Sequence, residues 1–556
     1  MPPHCGIGRP VESGSPSWYS LRDMNKSLSS LLKSVKTLET RSIQDCLISD
    51  IQYDSRKVGK GDLFCALPGI HSDGSAYIEA AIARGAAAVL HESVLEHYLP
   101  GIAYLRVPDA RKAMSGIAAA FHGYPSSALC IIGVTGTEGK STTVSLIYQL
   151  LNLAGFKAGF FSTVMSDSGS GEKPNPEHQT TPEATTVQEM LADMRDSGCL
   201  YAVVESSSHG LSSRTGRLSD VDFDIGIMTN VTHEHLEFHG TWEQYRSDKA
   251  NLFRNLDAHG HEKKLKRRPT TFPSFGIVNA DDPSAAYFAS CTKKPVFSFS
   301  VRGAGASLRA LDIVSDKMGS SFILEASEDL AGPGQFRRAA RLNLPGEYNV
   351  GNCLAALAAV SAATGRSLAE ILPLLSALKP IRGRMMNIDR GQPFEVIIDY
   401  AHTPSSFEAI LPPLRSRVKR KIFCLFGSGG ERDRKKRPQQ GLMASRYCDV
   451  LILTDEDPRG EDPMSLLEEI AGGCPNLPRG ERLFLLPDRP EAIRKAFSMA
   501  TPGDLVLLLG KGHENSIIYK DRAVPYDEES EAVDALGEIG YSRRQGGDPE
   551  QGKDQQ

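Results

Sequence analysis

The stretch that decides the fold is "CIIGVTGTEGKSTTVSLIYQLLNLAG", residues 130–155. It passes from a short apolar run through a turn with two glycines into a segment whose apolar residues recur at helical spacing. This order predicts a buried strand, a tight turn and a helix, which is the form of a phosphate-binding loop. The spacing is not that of the usual Walker A loop, because Val134 stands five residues before Gly139, where that pattern has glycine.

The residue types in this turn suit a nucleotide. Gly136 and Gly139 let the backbone turn sharply and direct N–H groups at phosphate oxygens, and the start of the helix adds positive potential. Lys140 can reach the outer phosphates, and the Ser141 hydroxyl suits Mg²⁺. The alternative is an ordinary strand–turn–helix connection, but Gly-Lys-Ser between a strand and a helix favours the nucleotide site.

Composition restricts the class of protein. A chain of 556 residues is too long for one core and predicts roughly two to four domains. With 40% apolar residues, 24% charged residues and a net charge of −5, it gives no general case for binding nucleic acid or membrane. No apolar run approaches the ~20 residues of a membrane helix, and the N-terminus lacks an apolar signal core, so we expect a cytoplasmic protein. The ten cysteines contain no C-x-x-C pair, which predicts reduced and mostly buried thiols.

The order of the remaining segments predicts an α/β fold. Apolar runs separated by helical patterns are typical of parallel sheets covered on both faces, and polar residues close each run, where open α/β sheets bind ligands. We place domain boundaries near 122–127 and 378–384, and expect disordered ends at 1–25 and 541–556. The predicted strands are "YAVVES" (201–206), "FDIGIMTNV" (223–231), "FGIVNADD" (275–282), "EVIIDYAH" (395–402), "KIFCLFGSGG" (421–430), "VLILTDEDP" (450–458) and "DLVLLLGKGHE" (504–514).

Two further features carry charge. The basic stretch 259–273, "HGHEKKLKRRPTTFP", is interpreted as a solvated surface insertion, with a nucleic-acid patch as the alternative. The ends of two predicted strands supply carboxylates and imidazoles of the types that bind metals. A carboxylate beside a phosphate loop suits Mg²⁺ better than zinc. These residues are Glu205, His209, Asn230, Glu234, His235 and His239.

Taken together, the motifs resemble those of the Mur ligase family of ATP-dependent amide-forming enzymes, over residues 45–530. They occur in this order: "DSRKVGKGDLFCALPG", "GVTGTEGKSTT", "ESSSHGL", "TNVTHEHLEFHGTWEQYRSDKANLF", "LPGEYNVGNCLAA", "DYAHTP", "FGSGGERDRKKRP", "DEDPRGE" and "LLGKGHE". The resemblance implies an N-terminal UDP-binding α/β domain (26–125), a central P-loop ATP-binding domain with a parallel sheet (126–379) and a C-terminal Rossmann-like domain (380–540).

The likeness is strongest to members that add the third peptide residue to UDP-MurNAc-L-Ala-D-Glu in peptidoglycan synthesis. It implies that ATP phosphorylates a substrate carboxylate to an acyl phosphate, which the amine of a diamino acid then attacks. It also implies a monomer that binds neither nucleic acid nor membrane.

The resemblance assigns roles to residues. Those implied to bind ATP are Gly136, Thr137, Glu138, Gly139, Lys140, Ser141, Thr142, Asn349, Asn352, Arg384, Asp399 and His402. Ser141 and Glu205 resemble one Mg²⁺ site, and His235 a second, with Lys249 if its amine is carboxylated. Lys140, Lys249, His235 and Glu205 are the implied catalytic residues, although by type alone Lys249 would be an exposed helix lysine. The implied contacts to the UDP-muramoyl dipeptide are Ser55, the loop after Gly69, Thr180, Thr181, Ser207 and Arg217, with Arg214 as the alternative to Arg217.

The added amino acid is implied to contact Arg432, Glu456, Asp457, Pro458, Arg459, Gly510 and Glu514. Members that add meso-diaminopimelate typically show "DNPR" where residues 456–459 here read "EDPR". The added anion, Asp457, should attract the bare ammonium of L-lysine or L-ornithine and repel a terminal carboxylate, whereas Arg459 could still pair a carboxylate. The sequence therefore favours lysine or ornithine, with diaminopimelate as the alternative. Lysine and ornithine differ by one methylene group, and this difference is too small for the sequence to indicate which of the two is added.

Some residues depart from the family pattern. Glu138 stands where asparagine is usual and Ser405 where aspartate is usual, yet the implied catalytic residues are all present, which predicts an active enzyme. Competing hypotheses are a folate-type or other cell-wall ligase, an ATP-binding regulatory protein with weakened catalysis, and a nucleic-acid-dependent ATPase that rests only on 259–273.

Overall fold

A computed structural model describes residues 25–42, 45–69, 73–175, 179–232, 236–265, 269–303 and 305–542. The chain forms two compact units: unit 1 is Met1–Tyr124, Glu183–Glu189 and Ser213–Asp220, and unit 2 is Pro125–Pro182, Met190–Ser212 and Val221–Gln556. The predictions of disordered ends fall almost wholly outside the described residues. Within the described ranges, every helix is too short or too polar to cross a bilayer.

Unit 1 is built on a five-stranded sheet of order β2-β7-β6-β5-β4, parallel except for the edge pair β2–β7. Its apolar core lies between this sheet and the longest helix of the unit, which buries alanine, methionine and isoleucine side chains. The strands are β1 Lys26–Ser27, β2 Glu39–Arg41, β3 Leu47–Ile48, β4 Ile51–Gln52, β5 Leu63–Cys65, β6 Ala88–His91 and β7 Ala103–Arg106; the helices are α1 Leu28–Leu31, α2 Ile78–Ala83 and α3 Ala110–Phe121.

Unit 2 contains two large sheets. The first has eleven strands in the order β11-β10-β9-β12-β8-β13-β16-β17-β18-β19-β20. Its strands are β8 Cys130–Thr135, β9 Ala158–Phe161, β10 Met165–Asp167, β11 Lys173–Pro174, β12 Tyr201–Glu205, β13 Ile225–Met228, β16 Phe275–Asn279, β17 Val296–Ser300, β18 Leu308–Asp316, β19 Gly319–Ala326 and β20 Phe336–Leu342. The separate hairpin β14 Glu262–Lys264 and β15 Pro269–Thr271 follows β13 in the chain.

Helices cover this sheet, and α4 begins at the carboxyl end of β8. They are α4 Lys140–Leu153, α5 Ala184–Asp196 (which begins in unit 1), α6 Ser208–Leu211, α7 Leu236–His239, α8 Trp242–Asn255, α9 Ala285–Ala289, α10 Glu328–Ala331, α11 Glu347–Thr364 and α12 Leu368–Ile371. Helix α11 is apolar around most of its circumference and buried along its length, and it packs on α4. This is the pattern of a helix enclosed by a core on several sides.

The second sheet of unit 2 has six strands in the order β21-β22-β26-β23-β24-β25, all parallel except the short edge strand β21. Apolar cores lie on both of its faces, as expected for a doubly wound sheet. The strands are β21 Met386–Asn387, β22 Glu395–Asp399, β23 Ile422–Phe426, β24 Val450–Leu453, β25 Leu483–Leu485 and β26 Leu505–Leu509, with the hairpin β27 Ser516–Ile518 and β28 Ala523–Pro525. The helices are α13 Pro404–Arg417, α14 Lys436–Tyr447, α15 Pro463–Ala471, α16 Arg489–Met499 and α17 Glu528–Glu538.

The α/β prediction is confirmed, and all seven predicted runs contain strands. Each strand ends before its run does, so the polar residues of the run follow the strand rather than belong to it. The parallel sheet expected for the central domain runs from β9 to β18, and β10, β11, β19 and β20 add antiparallel pairs at its two edges. Strand β18 alternates buried and partly exposed residues at its start, and β20 is largely exposed; such patterns are easily missed beside continuous apolar runs.

The basic stretch 259–273 is not simply a solvated insertion. Lys263 is 1% exposed, and its ammonium lies 2.8 Å from the buried carboxylate of Asp224. The Nδ1 atom of His261 lies 2.8 Å from the other oxygen of that carboxylate. Asp224 directly precedes β13, so this cluster sits at the amino end of the sheet, away from the phosphate loop. Part of the stretch therefore anchors unit 2; residues 266–268 lie outside the described ranges.

Candidate functional site

The turn between β8 and α4 has the geometry of a phosphate-binding loop. Helix α4 begins at Lys140, directly after Gly139, whose φ of +81° is left-handed. A Cβ on Gly139 would lie 2.4 Å from Oδ1 of Asn352, and a Cβ on Gly136, whose φ is +155°, would lie 1.9 Å from Oγ1 of Thr229. Both positions therefore need glycine, because the loop is pressed against its neighbours.

The loop is bound to the residues that follow β13. The backbone N–H of Thr137 donates to the carbonyl of Asn230 at 2.8 Å, and the N–H of Glu138 donates to its side-chain oxygen at 2.8 Å. The carbonyl of Glu138 accepts from Thr229 Oγ1 at 2.6 Å and from Asn230 Nδ2 at 3.0 Å. Glu138 thus serves the loop through its backbone, which explains how a residue other than the usual asparagine is accommodated.

Two lysines are attached to this loop. Lys140 Nζ donates to the carbonyl of Thr137 at 2.8 Å, and Lys249 Nζ donates to the carbonyl of Gly136 at 2.5 Å. Lys249 is 2% exposed and lies over the ring of Tyr245, with Nζ 4.6 Å from the ring centroid. The residue-type expectation of an exposed helix lysine was therefore wrong, because α8 packs its middle turns against the loop.

Glu205, at the end of β12, is a buried carboxylate next to the loop. Its Oε1 accepts from Ser141 Oγ at 3.0 Å and from Thr163 Oγ1 at 2.9 Å, and its Oε2 accepts from Thr163 N at 2.8 Å. Glu205 is 1% exposed, and its partners are hydroxyls and a backbone N–H, which carry no net charge. Its buried negative charge is therefore not neutralised, and a cation beside it would be strongly favoured. Carboxylate and hydroxyl oxygens are the donors that Mg²⁺ takes, so the donor set fits this ion.

Thr163 was missed in the sequence, although it follows the end of β9 just as Glu205 ends the neighbouring strand. It begins a hydrogen-bonded chain to residues implied to contact the substrate. Thr163 Oγ1 lies 3.1 Å from Thr180 Oγ1, Thr181 Oγ1 donates to the carbonyl of Glu205 at 3.0 Å, and Ser207 Oγ donates to Thr181 Oγ1 at 2.9 Å. The structure therefore brings Thr180, Thr181 and Ser207 together with Glu205.

The histidines after β13 separate into two groups. His235, and Glu234 beside it, lie outside the described residues. His239 is buried, with Nδ1 2.7 Å from Asp248 and Nε2 3.0 Å from Ser208 Oγ. Burial raises the pKa of Asp248, but the hydrogen bonds from His239 and Gln244 outweigh it and hold that pKa below its ordinary value. His239 therefore fastens α7 to α6 and α8.

Three of the predicted substrate contacts belong to unit 1: Arg217, Ser55 and the loop after Gly69. Arg217 Nη2 donates to Glu183 Oε1 at 2.7 Å within that unit. Ser55 is half-buried between Asp54 and Arg56, which form an ion pair of 2.8 Å. The hydrogen bond from Arg56 lowers the pKa of Asp54 to about 2. The loop after Gly69, residues 70–72, lies outside the described ranges.

The predicted adenine- and ribose-side residues fall into two places. Asn352, on α11, accepts from Thr143 Oγ1 at 3.3 Å, and Asn349, one turn earlier, donates to the carbonyl of Pro345 at 2.8 Å. Both therefore lie on the helix that packs on α4. The others cluster at the end of β22.

At the end of β22, the buried carboxylate of Asp399 accepts from the N–H groups of Met385 and Ala401, at 2.7 and 2.8 Å. The guanidinium of Arg384 lies 4.8 Å from the ring centroid of Tyr400, and His402 Nδ1 lies 2.9 Å from the Tyr400 carbonyl. Glu514 also contacts Tyr400, because its Oε1 accepts from the Tyr400 hydroxyl at 3.2 Å. The residues predicted to bind the adenine side of ATP and those predicted to bind the amino acid thus meet around Tyr400.

The predicted amino-acid residues form a buried charged cluster. Lys511 is fully buried, and its Nζ contacts Glu514 and Asp457 Oδ1, the latter at 2.9 Å. The same Oδ1 accepts from Ile518 N at 2.9 Å. Lys511 was not singled out in the sequence, although it lies inside the quoted motif "LLGKGHE". Pro458 is buried beside them, and Arg459 is half-buried.

Glu456 is the least satisfied member of the cluster. Burial raises the pKa of its carboxyl group, and among the described residues its Oε2 has no hydrogen-bond partner. A Cβ on Gly510, whose φ is +101°, would lie 3.0 Å from that oxygen, so glycine there leaves room for the carboxylate. Arg432, by contrast, lies on an exposed turn after β23.

Known protein families match this chain in three regions. Residues 134–360 match the Mur ligase middle domain, residues 383–512 the Mur ligase, glutamate ligase domain, and residues 47–122 the Mur ligase family, catalytic domain. The UDP-N-acetylmuramyl-tripeptide synthetase of Treponema denticola is 52% identical, over 92% of this chain and 98% of that protein. This chain belongs to the Mur ligase family.

Other relatives of this Mur ligase carry a more specific name. The UDP-N-acetylmuramoyl-L-alanyl-D-glutamate--2,6-diaminopimelate ligase of Geobacillus kaustophilus is 38% identical, over 88% of this chain and 95% of that protein. A solved structure of a ligase with the same name is 29% identical, covers 93% of this chain and all of that one, and has a TM-score of 0.60. The likeness therefore extends across both compact units.

The crowding at Gly136 generates a prediction for this Mur ligase. We expect Gly136→Ala to weaken binding of a non-hydrolysable ATP analogue by about tenfold or more, roughly 1.4 kcal/mol, because the loop must shift to admit the methyl group. Gly155→Ala is the matched control, since Gly155 also has a positive φ, +87°, but a Cβ there meets nothing within 4 Å. Isothermal titration calorimetry measures both affinities; equal affinities for the two variants would contradict this view of the loop.

Proposed function

We propose that this Mur ligase uses ATP to join a diamino acid to UDP-MurNAc-L-Ala-D-Glu, as the third peptide residue of a peptidoglycan precursor. The observation that carries the proposal is the buried Ser141–Glu205 oxygen pair at the start of the helix that follows the phosphate loop. The tripeptide synthetase of Treponema denticola, similar over nearly its whole length, supports it. The reaction would take place in the cytoplasm, on a monomer, without nucleic acid.

The proposed reaction has two stages. The terminal phosphoryl group of ATP passes to the substrate carboxylate, which gives an acyl phosphate and ADP. The amine of the diamino acid then attacks the acyl carbon, and the tetrahedral intermediate expels phosphate as the amide forms. Both stages bring negative groups together, so the site must supply positive potential.

In this proposal the chain's own groups divide that work. The phosphate loop with the start of α4 and Lys140 would hold the phosphates, while Ser141 and Glu205 would hold Mg²⁺, which would neutralise phosphate charge when bound. Thr180, Thr181, Ser207 and Arg217 contact the UDP-muramoyl dipeptide, and Ser55 contacts it on the uridine side. Asn349, Asn352, Arg384, Asp399 and His402 serve the adenosine part of ATP.

Lys249 has a separate place in the proposal. Its Nζ donates to the carbonyl of Gly136, and a carboxylated amine would keep one N–H for that bond while adding an anionic group beside the loop. Such a carbamate would offer oxygen ligands to a second Mg²⁺, together with His235. Carboxylation would therefore turn a buried cation into a metal ligand without breaking its anchor.

We expect ¹³C-bicarbonate to produce one carbamate carbon signal in the NMR spectrum of the wild-type protein. The signal should be absent from Lys249→Arg, which keeps the positive charge but cannot form a stable carbamate. A signal of equal intensity in both proteins, or in neither, would contradict the proposed modification.

For the added amino acid, we propose L-lysine or L-ornithine. Lys511 is shared between Asp457 and Glu514, so one buried cation faces two carboxylates, and Glu456 adds a third. The ammonium of a diamino acid is the partner that the unbonded Oε2 of Glu456 lacks. Asp457 thus acts through Lys511. If asparagine stood at position 457, the positive charge of Lys511 would neutralise another carboxylate of the pocket, and less negative charge would face the ammonium of the amino acid. Arg459 favours the alternative, meso-diaminopimelate.

The direct test is phosphate release from ATP with UDP-MurNAc-L-Ala-D-Glu and each of the three amino acids in turn, with the product mass measured. We expect turnover with lysine or ornithine and little with meso-diaminopimelate, since an additional carboxylate would enter an anionic pocket. Turnover with diaminopimelate alone would keep the ligase but show that Arg459 dominates. Failure with all three would contradict the proposed function.

In the same assay, Asp457→Asn should lower kcat/KM for the preferred amino acid by about tenfold, because it removes one anion from a buried cluster. The matched control is Asp521→Asn, an exposed aspartate on the turn between β27 and β28, which should change nothing. An unchanged preference in Asp457→Asn would show that Asp457 has no part in selection.

A further inference from the structure

The two loops that carry the proposed amino-acid site do not lie on adjacent strands. Residues 455–459 follow β24 and residues 510–514 follow β26, and β23 runs between these strands in the sheet. Strands β24 and β26 are therefore joined only through β23, and both loops extend beyond the last residues of these pairings. At the end of β23, Gly427 lies against the backbone that follows β24, because a Cβ there would lie 2.3 Å from the Thr454 carbonyl oxygen.

One buried side chain joins the two loops. Arg489, at the start of α16, donates from Nη1 to the carbonyl of Asp455 at 3.2 Å and from Nη2 to the carbonyl of Leu509 at 2.8 Å. These carbonyls immediately precede Glu456 and Gly510. The same guanidinium donates from Nε and Nη2 to the two oxygens of Glu528, at 2.8 and 2.7 Å. It thus binds both loops at their roots.

Burying an arginine at this position costs free energy, so support of the core alone does not account for it. The side chains of Arg489 and Glu528 are both fully buried, and a buried ion pair often stabilises a fold no more than apolar residues of the same size would. A planar guanidinium does what an apolar side chain cannot, because its fixed fork of donors reaches two carbonyls and a carboxylate at once. Geometry rather than stability is therefore the property that this residue supplies.

We propose that Arg489 is a positioning residue for the incoming amino acid, setting the distance between Glu456 and Asp457 on one loop and Lys511 and Glu514 on the other. The inference rests on the proposed function. Arg489 does not belong to the charged cluster itself; it acts through the backbone of both loops. A shift of either loop would separate Asp457 from Lys511 and move Glu456 away from Gly510.

The third loop is held in the same way. Arg437, fully buried on α14, donates from Nη2 to the carbonyl of Gly429 at 3.3 Å and to Glu461 Oε1 at 2.8 Å, and from Nη1 to Glu469 at 2.9 Å. Gly429 belongs to the turn that carries Arg432. Each loop of the proposed amino-acid site is thus tied at a main-chain carbonyl to a buried arginine paired with glutamate.

The test is steady-state kinetics of Arg489→Lys with each substrate varied separately. Lysine keeps the charge, but its single ammonium cannot reach both carbonyls and Glu528 together. We expect KM for the amino acid to rise about tenfold or more, with KM for ATP and for UDP-MurNAc-L-Ala-D-Glu within about twofold of wild type. Discrimination between lysine, ornithine and diaminopimelate should also weaken, which a loss of stability alone would not cause.

Arg494→Lys is the matched control, because Arg494 lies on the same helix and pairs with Glu531 and Glu538 at the surface. It should leave all three KM values unchanged. If Arg489→Lys fails to fold, Glu528→Gln replaces it, since this variant keeps the shape of the partner and weakens only the hold on Arg489; the same selective rise is expected.

A parallel rise in all three KM values, or no rise in the KM of the amino acid, would overturn the positioning role. Wild-type protein that forms no product with any amino acid would instead reject the proposed function, so the two failures are distinguishable.

Discussion

The carboxylate of Glu205 is the contact on which the site depends. It ends β12 and is held by the hydroxyl of Ser141, which follows β8, and by Thr163, which follows β9. These three strands are neighbours in the parallel part of the sheet, so their carboxyl ends meet at one edge. A buried carboxylate with only neutral donors attracts a cation, and the phosphate loop beside it attracts an anion. The Mur ligase reaction needs both within one short region.

The C-terminal sheet uses the same edge for a different purpose. Residues after β22, β24 and β26 gather charged side chains that are largely buried, and Lys511 joins Asp457 on one loop to Glu514 on another. Tyr400 links the two ends of this region, because its ring faces Arg384 and its hydroxyl donates to Glu514. Lys511 faces both Asp457 and Glu514, and among the described residues Oε2 of Glu456 has no hydrogen-bond partner. That buried carboxylate oxygen is the physical basis for expecting a ligand with an ammonium group.

Local patterns in the sequence predicted those parts of the molecule that depend on local physics. The strand β8, the glycine turn and α4 follow from a continuous apolar run, two residues that tolerate unusual φ values and a helical period. The burial of Lys249 could not be predicted in this way, because it depends on how α8 packs against a loop more than a hundred residues earlier in the chain. Thr163 was missed for a related reason: nothing in the sequence near it says that β9 lies beside β12. Arg489 and Lys263 are polar residues turned inward by partners far away in sequence, and side-chain type argued for the surface in both cases.

The central claim is that Glu205 and the phosphate loop bind Mg²⁺ and nucleotide as one unit. The measurement that tests it most directly is the affinity for a non-hydrolysable ATP analogue, with and without Mg²⁺, in wild-type protein and in Glu205→Gln. We expect Mg²⁺ to strengthen binding to the wild-type protein, and we expect this gain to be lost in Glu205→Gln, whose amide keeps the shape but not the charge. An equal gain from Mg²⁺ in both proteins would contradict this claim, because the ion would then be held without the carboxylate around which the site is built.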